Sequence, residues 1–284
     1  MTHSWNPDFA AHSPAFVPLH EHVLALRGGA FPDCEDLNRL LTQRNVPVTN
    51  ADGLPLRFVV QEERLAAFED GYEPRIFLRG EVQLRAGNWH DFFNALVWLA
   101  FPLTKAALNA RHFHALARQR TDGPRNRNRL QDALTLFDEG GVIVATSNPA
   151  LYELLAGHCW NELFWRRRAE VDQNMRFYLF GHGLFEKMLH PFIGVTGRGI
   201  ACTVAADFFA LPLARQLDEL DKEVAARIAD KARDIAAREF TAVPLLGIPG
   251  WCPDNARENY YANTAYFRPA RKATTPRRRG SPGA

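Results

Sequence analysis

The stretch "DALTLFDEGGVIVATS", residues 132–147, decides the fold. An apolar run leads into Glu139-Gly140-Gly141, and a β-branched run leaves it, which is the pattern of a hairpin. Asp138 and Glu139 then stand at the turn, where acidic residues are either solvated or part of a site. The pattern repeats upstream. "VPVTNADGLPLRFVVQ" (46–61) reads as two extended pieces joined at Ala-Asp-Gly, and "YEPRIFLRGEVQLRAG" (72–87) as two pieces turning near Arg79-Gly80-Glu81.

Helical periodicity fills the intervals. Leu37, Leu40 and Leu41 predict a short amphipathic helix over 34–45. A very apolar helix opens at "NWHDFFNALVW" (88–98) and meets Pro102, which must end or kink it. A second helix follows to about 119, and a basic loop, "RTDGPRNRNRLQ", occupies 120–131. Ser147 can cap a helix with Pro149 just inside it, running to about Trp165. A strand over 175–181 leads into a helix from His182 to about Leu189, and 205–239 carries an apolar helical stripe. Residues 243–269, rich in Pro, Gly and aromatics, predict an ordered, irregular wrap. Hairpins feeding helices give an α+β fold, with an antiparallel or mixed sheet packed against helices in a single domain. A tail over 270–284 follows the irregular wrap.

Composition agrees with a globular chain: 46% hydrophobic, 23% charged and 11% aromatic over 284 residues. The longest apolar run, "ALVWLAF" (95–101), falls far short of the roughly 20 residues that cross a bilayer. The first residues carry neither a basic nor an apolar leader region, so a cytoplasmic protein is expected. Cys34, Cys159, Cys202 and Cys252 are too scattered for a zinc ribbon and suit isolated thiols. The net charge of +2 conceals a basic end. Residues 268–284 hold six basic residues and no acid, and removing those six from 34 leaves 28 basic against 32 acidic residues. Such an end reads as a disordered basic tail able to touch nucleic acid or anionic lipid.

The helix at 88 raises a chemical question. It is apolar nearly all round, yet His90, Asp91 and Asn94 fall within one arc of it. Buried polar groups without partners cost about 1–3 kcal/mol each, so these must be satisfied by structure or by a ligand. Asn88 can cap the helix, and Asp91 three residues on resembles the second half of a capping box. That accounts for Asp91 and leaves His90 and Asn94 open. Lys105, Asn109 and His112 share a face of the next helix, either a solvated face or a continuation of the site with Lys105 as its cation. In "FGHGLFEKM" (180–188), His182 and Glu186 stand four apart, a spacing that suits one metal ion or a carboxylate orienting an imidazole. No dinucleotide fingerprint, P-loop, H-E-x-x-H, G-x-S-x-G or EF-hand loop is present.

The segments "WHDFFNALVWLAFPLTKAALN", "DALTLFDEGGVIV", "FGHGLFEKML", "PLLGIPGW" and "YFRP", in that order, resemble a bacterial family known as domain of unknown function 3025. The resemblance covers about residues 30–269. It implies one domain over that range and a bacterial, cytosolic protein, and it brings no activity, cofactor or catalytic residue.

The residues themselves suggest a metal-assisted hydrolase acting on a small anionic, phosphoester-like substrate. His90, Asp91, Asn94 and Lys105 are its candidate catalytic residues, with Lys105 holding the anionic group. His182, Glu186 and Asp138 are its candidate ligands for a divalent ion such as Zn, Mn, Fe or Mg. The alternative is a non-enzymatic binding protein with a satisfied buried polar network, whose basic loop and tail contact nucleic acid or an acidic partner.

Overall fold

A computed structural model describes residues 5–62, 67–122, 129–233 and 235–270. The expected tail beyond 270 and the centre of the basic loop, 123–128, lie outside the described residues. The helices are α1 (His20–Ala25), α2 (Cys34–Thr42), α3 (Tyr72–Arg79), α4 (Trp89–Ala100), α5 (Pro102–Asp122), α6 (Arg129–Gly140), α7 (Pro149–Ala156), α8 (Arg168–Asn174), α9 (His182–Met188) and α10 (Leu213–Ala229). The strands are β1 (Arg57–Val60), β2 (Glu81–Leu84), β3 (Gly141–Thr146), β4 (Met175–Leu179), β5 (Thr196–Thr203) and β6 (Thr241–Pro244).

The mixed α+β architecture holds, and of the expected hairpins only that at 46–61 forms, with Thr49 and Pro55 bridged antiparallel across the turn at Ala51-Asp52-Gly53. Residues 132–140 are the body of α6, and only 141–146 form a strand. Ala133, Leu134 and Phe137 are buried at helical spacing, and the two glycines end a helix instead of turning a hairpin. Gly141 is required there: a Cβ would stand 2.5 Å from the Phe137 carbonyl oxygen. The same correction applies at 72–87, where α3 replaces the first extended piece. Pro74 sits in its first turn, and Gly80, at φ 69°, closes it as a left-handed cap. β1 and β2 therefore pair in parallel across α3.

The main sheet has the order β4-β3-β5-β6, with β3 antiparallel to β4 and parallel to β5, and β5 antiparallel to β6. All six positions of β3 are buried, as a central strand covered on both faces requires. One hydrophobic core runs from Phe9 to Phe267, so the segment before residue 29 packs into the same core through Phe9, Phe16, Leu19 and Val23. Helix starts follow local capping. Asp33 accepts from Glu35 N and Asp36 N while Asp36 returns to Asp33 N, a complete capping box on α2. Asn148, not Ser147, caps α7, and that helix ends at Ala156. α5 is capped from a distance: Asp221 of α10 accepts from Leu103 N and Thr104 N at 2.9 and 2.8 Å. The apolar stripe expected over 205–239 is α-helical only across α10, with 3-10 turns at Ala206–Ala210 and Ala237–Glu239.

β1 is an outer strand, and α2 lies along its free edge. Asn38 donates to the Phe58 carbonyl at 2.9 Å and accepts from the Phe58 N–H at 2.8 Å. No helix among the described residues is long and apolar enough to cross a membrane. All four cysteines are free.

Candidate metal centre

Helix α4 is amphipathic in an unusual sense, since its faces differ in ring chemistry more than in burial. Asn88 caps it by accepting from Asp91 N at 3.0 Å. Trp89, Phe92 and Phe93 then pack into an aromatic cluster with Trp5, Phe9 and Phe31, and Phe93 stacks on Phe185 of α9. That contact lays α9 beside α4, so the polar residues of the two helices meet. The last turn of α6 completes the site. It approaches α9 so closely that a Cβ on Gly183 would stand 2.6 Å from Glu139 Oε2.

At the meeting point, His90 Nε2 and His182 Nε2 are 3.0 Å apart. Glu139 Oε1 lies 3.6 Å from the first and 3.4 Å from the second. Ligands about 2.0–2.1 Å from a tetrahedral ion stand about 3.3–3.4 Å from one another, so the triangle has the edge lengths of one face of such a site. These three residues form a candidate metal-binding group. Each imidazole has a carboxylate behind it. Glu186 Oε2 meets His90 Nδ1 at 3.1 Å, and in the tautomer that donates from Nδ1 to this carboxylate the Nε2 lone pair faces the triangle. Asp138 Oδ2 stands 3.7 Å behind His182 Nδ1, too far for a direct hydrogen bond. Lys105 Nζ fixes Asp138 from the other side at 2.6 Å.

Charges follow this layout. The His182 hydrogen bond, with the charges of both histidines, holds the Glu139 carboxyl below its usual range against the effect of burial. Burial pushes Asp138 up, but Lys105 and His182 outweigh it and hold that carboxyl low as well. A cavity of about 760 Å³ opens onto the triangle. Four of its lining carboxylates have cationic partners: Asp138 with Lys105, Asp91 with Arg85, Asp70 with Arg79 and Glu62 with Arg75. Glu139 and Glu73 have no lysine or arginine within 4 Å among the described residues.

The candidates from sequence divide accordingly. His90 and His182 come together at the triangle, and Asn94 lines the cavity beside it. Glu186 and Asp138 stand behind the rings and not at the meeting point. Asp91 does not complete a capping box. It takes Arg85 N, Nε and Nη2, each at 2.8 Å. Lys105 is buried on Asp138 and does not line the cavity, so it is not a free cation for an anionic group. Its face of α5 is not solvated either: Asn109 and His112 are also buried. Glu139 as third candidate ligand is not singled out by the sequence, because the hairpin reading places it on a turn. Once 132–140 is a helix, residues 138 and 139 point about 100° apart, and only one of them can face a given point. Tyr72 and Glu73, carried on α3, were read as strand and gave no signal.

A model of the family described as protein of unknown function (DUF3025) matches residues 56–271, and the chain belongs to that family. No curated protein and no solved structure matches it.

Proposed function

We propose that this member of the DUF3025 family holds one divalent cation on His90, Glu139 and His182 and uses it to activate water for hydrolysis. The observation that carries the reading is the triangle of 3.0, 3.4 and 3.6 Å with a carboxylate behind each imidazole. Two imidazoles and a carboxylate without thiolate suit Zn, Mn or Fe better than Mg, which prefers oxygen ligands. Three protein ligands leave a position open, here toward the cavity. An ion held there would supply an acidified water, with a pKa toward about 7, and a Lewis acid for the bond to be hydrolysed. His90 is then a ligand and not the general base. A phosphoester is compatible with this chemistry only through the ion, because Lys105, Arg75 and Arg85 are all engaged by carboxylates. An ester or amide in a polar substrate fits equally well.

The reading is tested by metal content and by thermal unfolding of the full chain with chelator and with added zinc or manganese. Near-stoichiometric metal is expected, together with a metal-dependent rise in Tm that vanishes in His182→Ala and Glu139→Gln. Metal-dependent hydrolysis of chromogenic acetate and phosphate esters, absent in Glu139→Gln, checks the reaction. A wild-type chain with no bound metal and no shift on adding either ion sinks the proposal. The alternative, nucleic-acid contact through the basic loop and tail, depends mostly on residues outside those described, and no feature of the cavity favours it.

A further inference from the structure

The cavity beside the triangle has a wall whose chemistry the ion does not use. Among the described residues none of its lining side chains is aliphatic, and six are carboxylates against two guanidiniums. Glu73 is the carboxylate left over. Its Oε2 accepts from Asn109 Nδ2 at 2.7 Å, and the same nitrogen bonds the Glu73 carbonyl at 3.0 Å. The lysine of that region, Lys105, is held by Asp138. On the same wall Asn94, only 7% exposed, gives its Nδ2 to Tyr72 Oη at 2.5 Å, and its Oδ1 has no partner. Among the described residues, then, a carboxyl with no lysine or arginine within 4 Å and a buried carbonyl without a donor line one recess. Buried groups of this kind are costly unless something supplies the missing partner.

We propose that Glu73 and Asn94 seat a cationic, hydrogen-bond-donating group, an ammonium or amidinium, of a hydrophilic substrate. A planar amidinium offers donors to a carboxylate and to a neighbouring carbonyl together, and its charge supplies what Glu73 lacks. Burial pushes the Glu73 carboxyl up to about 7, over the opposing effect of the Asn109 hydrogen bond, and a cation seated against it restores the ionised form. Calling the bound molecule a substrate rests on the hydrolytic reading above. The binding itself does not require the ion.

The test uses ethylguanidinium, its neutral isostere ethylurea, and butyrate, titrated calorimetrically into the full chain at pH 8, with zinc and with chelator. Guanidinium remains protonated and does not compete as a metal ligand, so the comparison reports on the recess. Ethylguanidinium should bind at least about tenfold more tightly than ethylurea in both states, and than butyrate under chelator, where no ion can take its carboxylate. Glu73→Gln, which can still accept from Asn109, should bring ethylguanidinium to parity with ethylurea while leaving zinc affinity unchanged. Asn94→Ala should weaken both ethylguanidinium and ethylurea severalfold and keep the preference between them. Under chelator, equal or tighter binding of butyrate or ethylurea to the wild-type chain overturns the proposal, as does a preference that survives in Glu73→Gln. A chain that binds no zinc would fail the metal reading alone, because the titration under chelator still reads Glu73.

Discussion

At the junction of α5 and α10, Asp221 is buried, and both of its carboxylate oxygens accept backbone N–H groups, from Leu103 and Thr104. Asn255, fully buried in the C-terminal wrap, donates to the Leu246 and Ile248 carbonyls and accepts from Arg168. The walls around the cavity are finished differently. Of five buried side-chain atoms without a partner among the described residues, four belong to Asn94, Trp98, Asn109 and His182, at or just behind the cavity. Burial and polarity are alike in the two regions, and satisfaction is what separates them. Asp221 and Asn255, which fasten the chain to itself, are complete without help, although Tyr260 Oη in the same wrap has no partner among the described residues; around the cavity four atoms still have hydrogen bonds to make. On the binding proposals above, the first pair serves stability and the atoms around the cavity serve a ligand.

The sharpest way to break that contrast is truncation on the fastened side. Asp221→Ala leaves two helix-start N–H groups without their acceptor, and Asn255→Ala leaves two buried carbonyls without their donor. Each should cost about 2–4 kcal/mol in denaturant unfolding. A loss below about 1 kcal/mol in both would show that satisfaction does not mark the structural set. On the cavity side, zinc at about 100 times its Kd should stabilise the wild-type chain by about 2.7 kcal/mol. The same addition should leave His182→Ala unmoved.

Glu73 gives a pH signature of smaller size. Its folded pKa, about 7, lies above the unfolded value near 4.3, so the folded chain retains a proton that the unfolded chain has released. That contribution to stability is whole below about pH 4 and is lost as pH rises through 7. Relative to wild type, Glu73→Gln should therefore gain stability across that interval under chelator. A difference flat with pH would mean that Glu73 already has a partner. The smallest effect belongs to Asn94→Ala, which removes one hydrogen bond and one unpaired carbonyl. It should lie within about 1 kcal/mol of wild type under chelator, and a larger loss would move Asn94 to the fastened set.

Sequence periodicity reveals α4 and α9 because their apolar residues repeat strongly and their polar exceptions stand out. His90, Asn94 and His182 are legible for that reason. α6 and α3 are misread where glycine is ambiguous, since Gly140-Gly141 and Gly80 end helices with a residue pattern that also turns hairpins. The error carries into the site, because it separates Glu139 from the imidazoles and hides Glu73. The pairing of carboxylate with ring is hidden for another reason. His182 and Glu186 lie one turn apart on α9, yet Glu186 orients the histidine of the neighbouring helix and Asp138 stands behind His182. Spacing along one helix cannot show which partner a second helix brings.

Asn38 has a consequence for how copies of this chain behave together. The outward N–H and C=O of Phe58 are those a third strand would use, and one amide side chain occupies both. An arriving β-segment, from a nascent chain or a crowded neighbour, would have to displace two hydrogen bonds before forming its own. Asn38→Leu should thus cost about 1–3 kcal/mol in denaturant unfolding, because the Phe58 N–H and C=O lose their partner, and should lower solubility at high concentration, because only the packing of α2 would then guard that edge.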